Sequence, residues 1–180
     1  ILTKYFEGFE ENIKLFIDSS ILNINTIKEL ENYLELIIPI QDRKVNGAFF
    51  TPDFIIDFII NEISPLDTDK NLDPSCGSGA FLVGLADYYK KTYQKPIKKI
   101  IKENIYGSDI LDYNIRRAEL ILTIYALHNN EILDKSDFNL YQQDSLSTKW
   151  SIQFDNIVGN PPYVKFQDNP VGNQTFIIST

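Results

Sequence analysis

Methionine is absent from this 180-residue chain, and cysteine, histidine and tryptophan occur once each. The single cysteine, Cys76, cannot close an internal disulfide, and one cysteine with one histidine, His128, offers no metal-ligand spacing. No apolar run reaches the ~18 to 20 residues that span a bilayer. No basic stretch followed by an apolar core marks a secretory signal, so a soluble, cytoplasmic protein is expected. A chain that opens with Ile1 and has no methionine is also expected to be a fragment of something longer. Basic residues are in deficit, with 17 Lys and Arg against 25 Asp and Glu and a net charge of -8. That balance argues against a nucleic-acid partner, because phosphate neutralisation calls for a basic surface. Six of the basic residues cluster at Lys90, Lys91, Lys95, Lys98, Lys99 and Lys102, and a run of this kind is expected to be a solvated helix face and connecting loop. What is present is ordinary for a globular domain: 43% hydrophobic and 23% charged residues, without repeats or low-complexity tracts, in a length that closes one core.

Hydrophobic spacing divides the chain. Residues 1–38 read as amphipathic helices, with Ile13, Phe16 and Ile17, then Ile27, Leu30, Leu34, Ile37 and Ile38 at three-and-four spacing. Residues 1–45 are therefore taken as an N-terminal helical segment and residues 46–180 as the core. At Thr51-Pro52 a helix should begin, Thr51 capping and Pro52 in the first turn. Strands are expected at Asn71-Leu72-Asp73, at residues 104–109, at 138–142 and at 154–158, with helices over about 79–93 and 112–128. Alternation of this kind implies an α/β fold, a parallel sheet covered by helices on both faces. Ligands of such sheets bind beyond the carboxyl ends of the strands.

Two of the loops at that end carry chemistry. The first, Asp73-Pro74-Ser75-Cys76-Gly77-Ser78-Gly79, has glycines that let the backbone approach a ligand and open the next helix. It lacks the third glycine of the dinucleotide fingerprint, and Asp109 lies further on than the ~20 residues expected of that motif's acid. Asp109 ends the second strand, where a carboxylate can accept both hydroxyls of a ribose. On these residues alone, a nucleoside ligand and an ordinary strand-to-helix turn both remain open. The second loop, Asn160-Pro161-Pro162-Tyr163, joins an amide to two prolines and an aromatic ring. The prolines fix two backbone angles, so the Asn160 side chain and the Pro161 carbonyl are held rigidly. Such a tetrad suits a planar amino group that must be gripped and stacked; a stiff loop after a strand is the plainer alternative.

Together these two loops resemble the cofactor loop and catalytic tetrad of S-adenosylmethionine-dependent DNA adenine-N6 methyltransferases of bacterial restriction-modification systems. Three further elements are similar to the same family's motifs: Gly47-Ala48-Phe49-Phe50-Thr51-Pro52, Gly107-Ser108-Asp109-Ile110 and Gln143-Asp144-Ser145-Leu146. The resemblance spans about positions 46 to 163 and implies a Rossmann-like class I methyltransferase sheet. Only 15 residues separate Asp144 from Asn160, too few for a recognition domain, so the chain resembles the subgroup that carries recognition after the catalytic domain. A fragment without that domain need not be basic.

The resemblance implies roles for individual residues. Thr51 contacts the methionine end of S-adenosylmethionine, and the loop with Asp73, Pro74, Cys76, Gly77 and Gly79 packs around it. Asp109 holds the ribose, Ile110 packs on the cofactor adenine, and Asp144 accepts from that adenine's amino group. On double-stranded DNA, Tyr163 stacks on a flipped target adenine while Asn160 and the Pro161 carbonyl, fixed by Pro162, accept its amino protons. A nuclease or specificity module in the same polypeptide or complex is a further expected partner. The same tetrad also resembles enzymes that methylate a glutamine amide of peptide release factors, or RNA, though the first loop and the Thr51 element look more like the DNA enzymes. Cytosine-C5 chemistry needs a cysteine after a proline, and Ser75 precedes Cys76; Cys76 reads as a small residue filling the loop.

Overall fold

The computed structural model describes residues 51–162, together with Glu29. Glu29 apart, the N-terminal helical segment lies outside the described residues, as do residues 46–50 with Gly47, Ala48, Phe49 and Phe50, Tyr163, and residues 164–180.

Helix α1 (Asp53–Ile63) leads into strand β1 (Asn71–Asp73), helix α2 (Ala80–Tyr93), a short helix α3 (Ile97–Glu103) and strand β2 (Ile105–Asp109). Helix α4 (Asp112–His128), a 3-10 turn (Lys135–Asp137), strand β3 (Leu140–Gln142) and strand β4 (Asn156–Ile157) follow. All pairings are parallel, in the order β3-β2-β1-β4. The α/β alternation expected from the hydrophobic pattern is thus what forms. Among the described residues no helix is long and apolar enough to cross a membrane.

From β1 the chain moves one way, to β2 and then β3. With both crossovers of the usual right hand, α2 and α4 would share one face, and their contact accords with this. The two helices meet where a Cβ on Gly79 would stand 3.2 Å from Ala118 of α4. Leu82, Leu85, Ala86, Ile100, Ile105 and Leu122 form the centre of the core, joined by Ile56 and Ile60 of α1. Gly107 of β2 lets Leu82, Leu140 and Cys76 close over the strand, since a Cβ there would fall within 3.2 Å of each. The opposite face carries an aromatic layer among the described residues. Tyr106 meets Phe154 at 5.2 Å between ring centroids, Phe154 meets Trp150 at 5.1 Å, and Trp150 meets Tyr141 at 5.6 Å.

The lysine cluster is the solvated face expected of it. Lys98 pairs with Asp137 at 3.0 Å and Asp134 at 3.2 Å, Lys102 with Asp137 at 3.6 Å, and Lys91 with Asp87. Part of the expected connecting loop is helical: α3 turns Ile97, Ile100 and Ile101 into the core. The Glu131 carboxylate accepts from the Ile97 and Lys98 amides at 2.8 and 2.9 Å, satisfying donors that a helix start leaves open. Lys95 is the exception. Its ammonium is buried, donating to the Asn104 side chain at 2.8 Å and the Asp67 carbonyl at 2.9 Å, with the Asp67 carboxylate at 3.2 Å.

Candidate active site at the carboxyl edge of the sheet

Strand β1 ends in Asp73, which is buried. Its Oδ1 accepts from the Ser75 amide at 3.0 Å, turning the chain sharply into the glycine loop. Burial foremost, with the negative charge of Asp109 adding to it, pushes the Asp73 carboxyl up to about 7 against the opposing pull of the Ser75 amide. Strand β2 ends in Asp109. Its Oδ2 accepts from the Gly77 amide at 3.0 Å and its Oδ1 from the Leu111 amide at 2.9 Å. Asp109 thereby ties the glycine loop to the start of α4, and each oxygen keeps a second lone pair.

Within the loop, Gly77 sits at φ +52 and Gly79 at φ +98, conformations that cost a side chain dearly. Around Gly77 nothing lies within 4 Å of a hypothetical Cβ, so this turn faces open space. Cys76 faces inward. It is buried against Gly107, its amide donates to the Ser108 carbonyl at 2.9 Å, and burial, with the charges of Asp73 and Asp109, holds its thiol protonated. Cys76 fills the loop from beneath, as the sequence suggested. Pro74 is held from the neighbouring loop: Ser145 Oγ lies 2.8 Å from the Pro74 carbonyl and 2.8 Å from Ser108 Oγ. The role of Ser145 and Ser108 as a lashing between two loops had no sequence signal, because a serine pair 37 positions apart fits no local motif.

Beyond β3, Asp144 is half-buried. Its Oδ1 accepts from the Leu146 amide at 3.0 Å and its carbonyl from the Thr148 hydroxyl at 2.7 Å. Ile110 is 60% exposed at the mouth of the edge, an apolar surface left to solvent beside Asp109.

After β4, Gly159 passes so close to Asp73 that a Cβ would stand 2.5 Å from Oδ1. Asn160 follows, half-buried, with Pro161 and Pro162 exposed. The Asn160 Nδ2 donates to Thr51 Oγ1 at 3.1 Å. This bond corrects the expected helix start. Pro52 occupies the cap position itself and no side chain caps α1, while Pro52 O accepts from the Ile55 and Ile56 amides at 2.9 and 3.2 Å. Thr51 is one residue too early to cap, and its hydroxyl meets Asn160 instead.

The structure therefore brings Thr51, Asp73, Gly77, Asp109, Ile110, Asp144 and Asn160 to one edge of the sheet. His128 stands exposed at the end of α4, away from that edge. The edge fits a nucleoside-type ligand on its own evidence. Gly77 leaves room for close approach, Ile110 offers a flat apolar contact, and Ser75 Oγ and Gln143 Nε2 are buried with no hydrogen-bond partner among the described residues. Unsatisfied buried polar atoms are uncommon, and a ligand is one way they become satisfied.

The family model described as N-6 DNA Methylase matches residues 33–177. The chain is 30% identical over 133 residues to the Type I restriction enzyme EcoEI methylase subunit of Escherichia coli, covering 73% of this chain and 26% of that protein. It is 31% identical over 123 residues to the Type II methyltransferase M.CvrRI of Paramecium bursaria Chlorella virus XZ-6E, covering 68% and 26%. The chain thus spans about a quarter of the length of these relatives. Among solved structures, a modification subunit assigned to a type I restriction enzyme of Vibrio vulnificus YJ016 shares the fold. The TM-score is 0.57 at 18% identity, over 87% of this chain and 36% of that one. The DrdV–DNA complex also shares it, with a TM-score of 0.54 at 17% identity over 69% and 14%.

Proposed function

Because the chain belongs to the N-6 DNA methylase family, we propose that it is the catalytic core of an enzyme that methylates N6 of adenine in DNA. S-adenosylmethionine is the donor, and the reaction is the modification activity of a restriction-modification system. One observation supports this reading: Asn160, the residue assigned here to grip the target, is hydrogen-bonded to Thr51, the residue assigned to meet the donor.

When bound, S-adenosylmethionine supplies an electrophilic sulfonium methyl. The chain's own residues supply placement. Thr51 and the Asp73 loop would hold the methionine end. Asp109, already oriented by the Gly77 and Leu111 amides, would accept the ribose hydroxyls; Ile110 would lie against the cofactor adenine and Asp144 would accept from its amino group. A target adenine inside a duplex cannot reach this edge, so it leaves the stack, and Tyr163 stacks on the extruded ring. Asn160 Oδ1 and the Pro161 carbonyl then accept the two amino protons. In the free base the nitrogen lone pair is delocalised into the ring. Gripping both protons toward tetrahedral geometry would localise that pair for in-line attack on the methyl carbon; the carbon–sulfur bond would break as the nitrogen–carbon bond forms, the neutral thioether S-adenosylhomocysteine would leave, and the nitrogen would give up one amino proton to solvent. Catalysis is positioning plus hydrogen bonding, with no covalent enzyme intermediate.

The net charge of -8 accords with a core whose phosphate contacts come from a recognition region lying after it in the parent protein. A nuclease or specificity module in the same polypeptide or complex, working in the cytoplasm, completes the system in this reading.

The test is transfer of radiolabelled methyl from S-adenosylmethionine to unmethylated DNA by the full-length parent, with the modified nucleoside identified after digestion. N6-methyladenine is the expected product. Label in RNA or in a release-factor glutamine, with none in DNA, would replace this reading with the corresponding one.

A further inference from the structure

Thr51 is freed from the work its sequence position suggests. It does not cap α1, and its hydroxyl instead meets a residue 109 positions away. Asn160 has little backbone freedom: the following proline restricts its own angles, and Gly159 is pressed against Asp73. What remains undecided is which end of the carboxamide faces outward. A carboxamide carries a donor end and an acceptor end of nearly equal size. With Nδ2 committed to Thr51 Oγ1, Oδ1 is the end left to accept.

We infer that Thr51 is a positioning residue for the target, fixing the Asn160 carboxamide with its oxygen toward the incoming amino group. The inference rests on the methyl-transfer reading above and deepens it. A target amino group is a donor. It is repelled by the NH2 end of the amide and held by the oxygen end, so a wrong flip removes the grip altogether. A hydroxyl both donates and accepts, so Thr51 holds the carboxamide this way round when its own proton is given to another acceptor; the methionine carboxylate of the donor would be that acceptor, leaving Oγ1 only to accept from Asn160 Nδ2. One hydroxyl then links the two substrates, and occupancy by the cofactor stiffens the hydrogen bond that orients Asn160.

The experiment compares Thr51→Val, which keeps the shape and removes the hydroxyl, with Thr51→Ser, which restores it, in the full-length enzyme. At saturating cofactor, Thr51→Val is expected to lower kcat by about 10- to 100-fold, and Thr51→Ser to return it to within about threefold. In an Asn160→Asp background the Thr51→Val loss is expected to shrink, because a carboxylate presents an acceptor either way round. Weakened cofactor affinity with kcat unchanged, or the same loss in both backgrounds, would overturn the inference and leave Thr51 a cofactor contact only. Should the wild-type enzyme place its label in RNA or protein, the DNA reading fails, and the same variants are read on that acceptor, whose amino protons pose the same demand. Nitrogen-15 spectra of asparagine-labelled protein test the bond without any acceptor. The Asn160 side-chain amide signal, identified by its loss in Asn160→Asp, is expected to shift in Thr51→Val, and an unmoved signal would refute the contact itself.

Discussion

The two ends of the same four strands are built on opposite principles. At the amino end, polar side chains are spent on one another. Asn71 Nδ2 donates to Tyr89 Oη at 2.9 Å and to the Asn104 carbonyl at 3.1 Å, while Asn71 Oδ1 accepts from Asn156 at 2.9 Å. Tyr89 donates to the Leu66 carbonyl at 2.8 Å, and Asn104 donates to the carbonyls of Asp67 and Asp69. At the carboxyl end, Asp109 is half-committed, Ser75 Oγ and Gln143 Nε2 have no partner among the described residues, and Ile110 faces solvent. A closed polar network specifies a structure, and an open one awaits a ligand.

Substitutions separate the two ends. The largest effect is expected at the carboxyl end: Asn160→Ala should lower methyl transfer by about 1000-fold, measured as kcat, with cofactor affinity and melting temperature close to wild type. Transfer at near the original rate would remove Asn160 from the mechanism.

Asp73 gives the next effect, through pH. Its ordinary value is 3.8 and its folded value about 7, so the folded chain holds a proton that the unfolded chain releases. The resulting stability is complete below about pH 4 and is lost as pH rises to 7, on the order of 3 kcal/mol across that window. Asp73→Asn keeps the acceptor for the Ser75 amide and is neutral throughout, so its denaturation midpoint should lack this slope. An unchanged slope would place the titration elsewhere.

At the amino end, Asn71→Ala strands buried partners on Tyr89 and Asn156 and is expected to cost about 2 kcal/mol in urea unfolding, while the folded fraction binds cofactor normally. Smallest is Asp109→Ala, which should weaken cofactor binding about tenfold, the scale of one charge-assisted hydrogen bond.

Legibility in the sequence follows the same division. The strands β1 and β2 and helices α2 and α4 were readable almost to the residue, because alternation of apolar runs and turns is a local signal. The α3 helix was not separately read. Its lysines belong to the charged run that reads as a solvated face, although Ile97, Ile100 and Ile101 carry the three-and-four spacing that buries it. Strand β4 is shorter than expected, since Phe154 turns into the aromatic layer with Tyr106 and Trp150 before pairing begins. In the site, Asp73, Asp109 and Asn160 announced themselves by residue type at strand ends. The Thr51–Asn160 and Ser145–Ser108 bonds and the Asn71–Tyr89–Asn104 network join distant positions, and no spacing rule reaches that far.

The most direct measurement is equilibrium binding of S-adenosylmethionine to the full-length protein and to its Asp109→Ala and Asn71→Ala variants, by calorimetry under conditions where all are folded. Asp109→Ala is expected to lose about tenfold in affinity, while Asn71→Ala is expected to bind as the wild type does. Equal affinity in all three, or a loss confined to Asn71→Ala, would contradict the assignment of the carboxyl edge as the cofactor site.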